Sequence, residues 1–328
     1  MNTARLSSAG HVSLFDGEVV PAVGDGESLV RVLGVGLCGS DLHWFGEGSI
    51  GDAVLSHPLV LGHEFGGRVE GGPLDGQLVA VDPAIPCGTC ERCREGYFNL
   101  CPTVRFAGHG GTDGGLREYV SWPTELLHVL PEGFTPATAA LLEPLGVALH
   151  AFDLGHMRLG SSVAVVGCGP IGLMLLQACR AAGAGRLIAI EPLAHRREAA
   201  KRCGAQVVLA PGEIADCLDE FDVVFEAVGP DDAVAESVEL VRPGGNLVLA
   251  GIPNDDKTTL PASVARRKGL TVRLVRRMNE AYPRAIDMVR RGLIEVDWLV
   301  SHRFPLERID EAFKTAAARE GLKVLVEP

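Results

Sequence analysis

The run SSVAVVGCGPIGLMLLQACRAAGAGRLIAIE, residues 161–191, constrains the fold of this chain more than any other segment. A short apolar stretch ends at Gly167-Cys168-Gly169-Pro170-Ile171-Gly172, and an apolar segment of helical length follows. Gly167 permits a tight turn, Gly169 lets a pyrophosphate come against the backbone, and Gly172 lets helix and strand pack closely. The helix N-terminus supplies amide donors and partial positive charge for that pyrophosphate. Glu191 ends the next strand, 19 residues after Gly172. Its carboxylate suits the ribose hydroxyls of NAD and repels the 2′-phosphate of NADP. His195, Arg196 and Arg197 follow closely and offer a counter-charge to such a phosphate, so NAD is the preferred cofactor and NADP the lesser one. The strand-like pieces RLIAIE, AQVVLA, FDVVFEAVG and GNLVLAGI alternate with helix-like ones such as HRREAAKRCG. That alternation predicts a parallel sheet with right-handed crossovers.

The rest of the chain has a different rhythm. From Leu29 to about Val81 short β-rich pieces are broken by glycine (LVRVLGVG, PLVLGHEFGGRVE, GQLVAV), and GGLREYVSWPTELLHVLPEG resumes the pattern. This predicts a small, irregular β-barrel. TPATAALLEPLGVALHAF reads as a helix, and the tail reads as helix, short strand and helix. At 328 residues the chain has room for two cores. A net charge of −12 opposes a nucleic-acid partner. No uninterrupted apolar run reaches membrane-spanning length, and MNTARLSSAG lacks the apolar core of a signal peptide, so no membrane partner is expected. Nine cysteines, several isolated in apolar segments, fit a reduced, cytoplasmic setting.

Cys87, Cys90, Cys93 and Cys101 stand in a C-x2-C-x2-C-x7-C register. Four thiolates close a tetrahedral zinc site and leave no room for substrate, so this site is structural. A second, open site is expected from Cys38 in the segment Cys38-Gly-Ser40-Asp41-Leu-His43, from Gly62-His63-Glu64, and from Glu143 in LLEPLGVALH. One thiolate and one carboxylate neutralise a zinc ion; a second direct carboxylate makes the shell anionic and a poorer Lewis acid. Glu64 and Glu143 both remain candidates for the direct carboxylate.

With GLCGSDLHWFGEGSIGD, HPLVLGHEFGG, the four-cysteine loop, LLEPLGVALHA, VVGCGPIGL and VSHRFPLERIDEAF together, the chain resembles the zinc-containing medium-chain dehydrogenases. Within them it is most similar to the polyol (sorbitol, xylitol, L-idonate) dehydrogenases. The resemblance implies an α/β protein with a GroES-like β-rich catalytic domain (1–140, with the zinc loop at 86–102). A Rossmann doubly wound parallel-sheet domain (141–285) and a C-terminal segment returning to the catalytic domain (286–328) would follow. It implies two zinc ions per chain and hydride transfer from a secondary alcohol to NAD. Cys38, His63 and Glu64 would hold the catalytic zinc, with Glu143 nearby, direct or through water. Glu64 is counted with the catalytic groups. Ser40 would take the alcohol proton and pass it through the nicotinamide ribose hydroxyl to His43 and solvent. The cofactor set would comprise Gly167, Gly169, Pro170, Ile171, Gly172, Glu191, Arg196, Val228, Gly251 and Arg276. Trp44 and Phe45 would wall the substrate pocket beside Glu143, Arg276 and Arg277. Where the polyol enzymes resemble F-R-Y-C-N, this chain reads Val275-Arg276-Arg277-Met278-Asn279, and a second guanidinium suits an acidic sugar derivative. A homo-oligomer, dimer or tetramer, would form along the strand GLTVRLV.

Other functions compete with this one. L-threonine or a simple alcohol is an alternative substrate within the same superfamily. Outside enzymology, the cysteine loop could be a zinc-ribbon interaction module, or the chain an NAD(P)H sensor. The acidic charge opposes the first, and intact Cys38, His63, Glu64 and Ser40 oppose the second.

Overall fold

The computed structural model describes all residues from Met1 to Pro328. The chain forms two compact units, one of Met1–Pro144, Tyr282–Arg290 and Glu295–Pro328, the other of Leu145–Ala281 and Arg291–Ile294.

The second unit is built on a six-stranded sheet in the order Val207–Leu209, Arg186–Ile190, Ser162–Val166, Phe221–Glu226, Val241–Leu249, Thr271–Leu274. Every neighbouring pair is parallel. Numbered along the chain the order is 3-2-1-4-5-6, the doubly wound arrangement whose ligands lie beyond the carboxyl ends of the central strands. Val163, Ala164 and Val165 are wholly buried, which is why these strands read as continuous apolar runs and not as alternating ones. The helix Pro170–Ala181 follows the first strand, with Gly169 as its N-cap and proline at its first position. Thr271–Leu274 is the last strand of the sheet, and Leu274 on it is 72% exposed.

The first unit carries a seven-stranded sheet. Its path runs Leu127–Val129, Leu78–Val81, Glu64–Glu70, Glu27–Gly36, Lys323–Glu327, Val300–Pro305, and Tyr119–Pro123 also pairs with Glu27–Gly36. The register at the end of the strand Glu27–Gly36 positions the site. Gly36 lies opposite Glu64 on one side and Leu325 on the other, and the amide of Leu37 donates to the carbonyl of Val324 at 3.0 Å. Cys38, immediately beyond, therefore emerges between the strand that begins with Glu64 and the strand that begins with Lys323. Beyond the expected helix, short strand and helix of the tail, residues 323–327 form a further strand, buried over its first four residues. Phe65, Leu116, Leu61, Val32 and Phe313 fill the core beneath the sheet.

The helix Pro136–Gly155 has the length and mean hydropathy of a membrane span, but most of its apolar window is buried within the fold. It carries Glu143 and contains Pro144, where the first unit ends.

Candidate active site

Cys38 caps a nine-residue helix, Gly39–Glu47, that starts three residues after the strand ends at Gly36. Asp41, three residues on, accepts the Cys38 amide at 2.9 Å through Oδ2 and the Gly62 amide at 3.2 Å through Oδ1. Asp41 thus ties the Cys38 turn to the turn before His63. Gly62 has φ 88, and a Cβ there would stand 2.6 Å from Cγ1 of Val35, so the turn admits only glycine. Nδ1 of His63 lies 3.6 Å from Oδ1 of Asp41, while its Nε2 is 3.5 Å from Oγ of Ser40. Asp41 is 1% exposed and His63 7%. Burial pulls the imidazole down, but the Asp41 carboxylate facing it, with Cys38, outweighs this and holds His63 well above its ordinary value. Burial pushes the Asp41 carboxyl up, and His63 with the two backbone amides brings it below the usual range.

The ligand atoms of Cys38, His63 and Glu64 lie within 4.8 Å of one another. One thiolate, one imidazole and one carboxylate at that spacing suit zinc and leave the fourth tetrahedral position open. Glu143 is not part of that triplet. It is 3% exposed, and burial, followed by the opposing pulls of its neighbours, pushes its carboxyl up to about 7. His63 and Lys323 lower it, and Glu64 raises it.

Glu64 has a partner that sequence reasoning missed. Lys323 Nζ donates to its Oε1 at 2.8 Å and its Oε2 at 2.5 Å, and to the carbonyl of Leu37 at 3.0 Å. The ammonium has three N–H donors, and all three are used. Gly36, opposite Glu64, makes room for this geometry, since a Cβ there would collide with Glu64 Oε2. Burial lowers the Lys323 pKa, but the Glu64 and Cys38 charges and the Glu64 hydrogen bond leave it above the ordinary value. The signal was a lysine in the apolar run LKVLV, where an unpaired charge is too costly to bury.

Ser40, His43 and Glu47 follow one another along the Gly39–Glu47 helix at spacings that share a face. His43 Nδ1 is 3.3 Å from Oε1 of Glu47, a contact visible in principle as an i,i+4 pair. Trp44 and Phe45 do not wall a pocket as expected. Phe45 is 9% exposed and stacks on Phe313 with centroids 4.9 Å apart; Trp44 is 3% exposed and meets His109 edge-on. The turn of the helix directs both rings into the core of the unit.

The four sulfurs of Cys87, Cys90, Cys93 and Cys101 also lie within 4.8 Å of one another. Backbone amides donate to three of them: Cys90 to Cys87 at 3.3 Å, Cys93 to Cys90 at 3.4 Å, and Cys87 to Cys101 at 3.4 Å. Amide donors of this kind stabilise thiolates. They are led at Cys87 by the Thr89 amide and bring that thiol down to about 5. All nine cysteines are free thiols.

In the second unit Gly167 has φ 91, and a Cβ on Gly172 would collide with the Gly167 carbonyl, so the turn has the tightness a dinucleotide loop requires. Pro170 and Ile171 open the helix. The Glu191 carboxylate is turned onto this turn: the Cys168 amide donates to Oε2 at 2.7 Å and the Leu193 amide to Oε1 at 3.0 Å. Arg197 is held by the carbonyls of Glu191 at 2.9 Å and Pro192 at 2.6 Å. Arg196 lies over the turn, its Nη1 3.8 Å from where a Cβ of Gly169 would stand. Val228 is 39% exposed, and Gly251 is packed so closely on Gly229 that a side chain would collide. Arg276 is exposed, whereas Arg277 is half-buried with φ 53.

A β-rich unit holding an open three-ligand site and a closed four-cysteine site, with a doubly wound unit holding a dinucleotide turn, defines a zinc-containing alcohol dehydrogenase architecture. Residues 24–132 match the alcohol dehydrogenase GroES-like domain, and residues 170–291 match the zinc-binding dehydrogenase domain. Sorbitol dehydrogenase of Bacillus subtilis is 35% identical over 94% of this chain and 92% of that enzyme. The crystal structure of L-idonate 5-dehydrogenase from Escherichia coli superposes with a TM-score of 0.92 at 27% identity, covering 100% of this chain and 98% of that one. A putative zinc-binding dehydrogenase from Sinorhizobium meliloti bound to NADP gives a TM-score of 0.91 at 32% identity, covering 100% and 99%. The chain belongs to the zinc-containing medium-chain dehydrogenase superfamily and is similar to its polyol dehydrogenases.

Proposed function

We propose that this protein is a zinc-dependent oxidoreductase that oxidises a secondary alcohol of a polyol or sugar derivative to the ketone, with NAD as the preferred hydride acceptor. The observation that carries the proposal is the convergence of Cys38, His63 and Glu64 within 4.8 Å, with Ser40 Oγ 3.5 Å from His63. Zinc in that site supplies a Lewis acid that favours loss of the alcohol proton near neutral pH. NAD supplies the hydride acceptor. The residues of the chain do the rest. Cys38 and His63 are pre-aligned by Asp41, so little reorganisation is needed. Ser40 accepts the alcohol proton, and His43, held at Nδ1 by Glu47, delivers it to solvent. The balance is one alcohol and one oxidised nicotinamide giving one ketone, one reduced nicotinamide and one proton.

NAD is preferred because Glu191 lies 3% exposed at the turn as an anion poorly suited to a neighbouring 2′-phosphate. Of the two guanidiniums that follow it, that of Arg197 is engaged with backbone carbonyls. An acidic sugar is the favoured variant of the substrate. It is supported by the half-buried, left-handed Arg277 and by the similarity to L-idonate 5-dehydrogenase. The free thiols support a reduced, cytoplasmic setting, and the exposed Leu274 on the strand Thr271–Leu274 supports a homo-oligomer built along that edge. Kinetics with polyols, aldonates, L-threonine and simple alcohols, each with NAD and NADP, test the reading. Polyols or aldonates with NAD should give the highest kcat/KM; a preference for threonine or ethanol would replace the substrate class.

A further inference from the structure

We propose that Lys323 is a positioning residue for the catalytic metal site. It restrains the Glu64 carboxylate and offsets its charge, so that the loaded site does not become anionic. The proposal rests on the zinc reading above, and its own basis is geometric. Lys323 spends its three donors on Glu64 Oε1, Glu64 Oε2 and the Leu37 carbonyl, with side chains 3% and 1% exposed across the ion pair. The ammonium therefore grips both a prospective metal ligand and the residue preceding another, Cys38. Its strand is pinned beside them by the Leu37–Val324 hydrogen bond and by the Gly36–Leu325 register.

The charge count shows what this arrangement does. Zinc with the Cys38 thiolate and the Glu64 carboxylate is formally neutral, and Asp41 adds a buried anion against His63. Lys323 returns one positive charge at ion-pair distance from Glu64. A carboxylate shared with an ammonium donates less charge to a metal and is less free to swing fully onto it. Zinc is thereby held more weakly than an unrestrained Glu64 would hold it, and its ability to polarise an alcohol is retained.

The test compares wild type, Lys323→Met and Lys323→Arg as full-length protein, zinc-loaded and with the catalytic ion removed by chelator. Chelator competition should show Lys323→Met binding the catalytic zinc tighter by about tenfold or more, because an ammonium beside the ion is gone. Lys323→Arg, which keeps the charge, should stay within about threefold of wild type. Melting of Lys323→Met should fall more in the depleted than in the loaded form, on the order of 5–10 °C more, since only the loaded form gives Glu64 a cation. Cobalt-substituted Lys323→Met should show altered d–d bands that Lys323→Arg restores. If Lys323→Met does not fold, Lys323→Gln, which keeps a donor for Leu37 but no charge, serves the same comparison. Unchanged or weaker zinc binding, or equal melting losses in both forms, would overturn the role of Lys323 alone. A wild type that binds only one zinc per chain would overturn the zinc reading and this role with it.

Discussion

Asp41 and His63 face each other across 3.6 Å, carboxylate Oδ1 to imidazole Nδ1, in a setting where both side chains are buried. The contact decides which imidazole nitrogen is left for a metal: Nε2, on the Ser40 side. The same carboxylate holds the Cys38 amide, so one buried anion aligns two of the three candidate ligands.

Asp41→Asn should therefore weaken catalytic-zinc affinity by about 10–100-fold while the four-cysteine site keeps its ion. Metal analysis after graded chelator dialysis measures this directly. Equal loss from both sites would instead indicate general unfolding of the unit.

Ser40→Ala should lower kcat by about 10²–10⁴-fold with zinc content unchanged, as expected for loss of the group that accepts the alcohol proton. Glu47→Gln should cost only a few-fold, because it orients His43 from a half-exposed position. A larger loss in Glu47→Gln than in Ser40→Ala would contradict the order of the relay.

Glu191→Ala removes the acceptor of the Cys168 and Leu193 amides and the anion beside the dinucleotide turn. It should lower kcat/KM for NAD by about 10–100-fold, roughly 1.4–2.8 kcal/mol. It should affect NADP less, because the repulsion disappears as well. Parallel kinetics with both cofactors check this, and a loss confined to NADP would reverse the assignment.

The half-buried His128, stacked on Tyr282 with centroids 4.3 Å apart, gives a pH prediction. Desolvation lowers its pKa to about 4. The unfolded chain, with an ordinary histidine near 6.5, binds that proton first. Stability from this site is thus complete above about pH 6.5 and is lost as pH falls toward 4, by on the order of 2–3 kcal/mol. His128→Leu should flatten the difference between urea unfolding at pH 7.5 and 4.5 relative to wild type. An unchanged difference would show that His128 is not the titrating group.

The parts of the fold that were legible in the sequence share a cause. The glycines of 167–172 and the apolar strands around them obey local rules, because a turn and a parallel strand are set by the residues within them. The candidate metal ligands were legible for a related reason: Cys38 and His63 lie in turns and Glu64 opens a strand, and the residues that fix those turns (Asp41, Gly62) are close in sequence. Lys323 was not legible, since its meaning comes from a partner 259 residues away and from a terminal strand that a short tail does not announce. Trp44 and Phe45 misled for the opposite reason. They adjoin His43 in sequence, but one step along a helix turns a side chain by about 100°, enough to move a ring from a site to a core. The dual engagement of Glu191 by backbone amides likewise depends on the folded turn and not on the identity of any one residue.

The most direct test of zinc-dependent alcohol oxidation is reduced-nicotinamide formation from a polyol, followed by absorbance, with the catalytic ion removed and then restored. Protein as isolated should hold two zinc ions per chain; removing the more labile one should abolish turnover without unfolding, and stoichiometric zinc should restore it. Turnover that persists with only the four-cysteine ion in place would contradict the assignment of Cys38, His63 and Glu64.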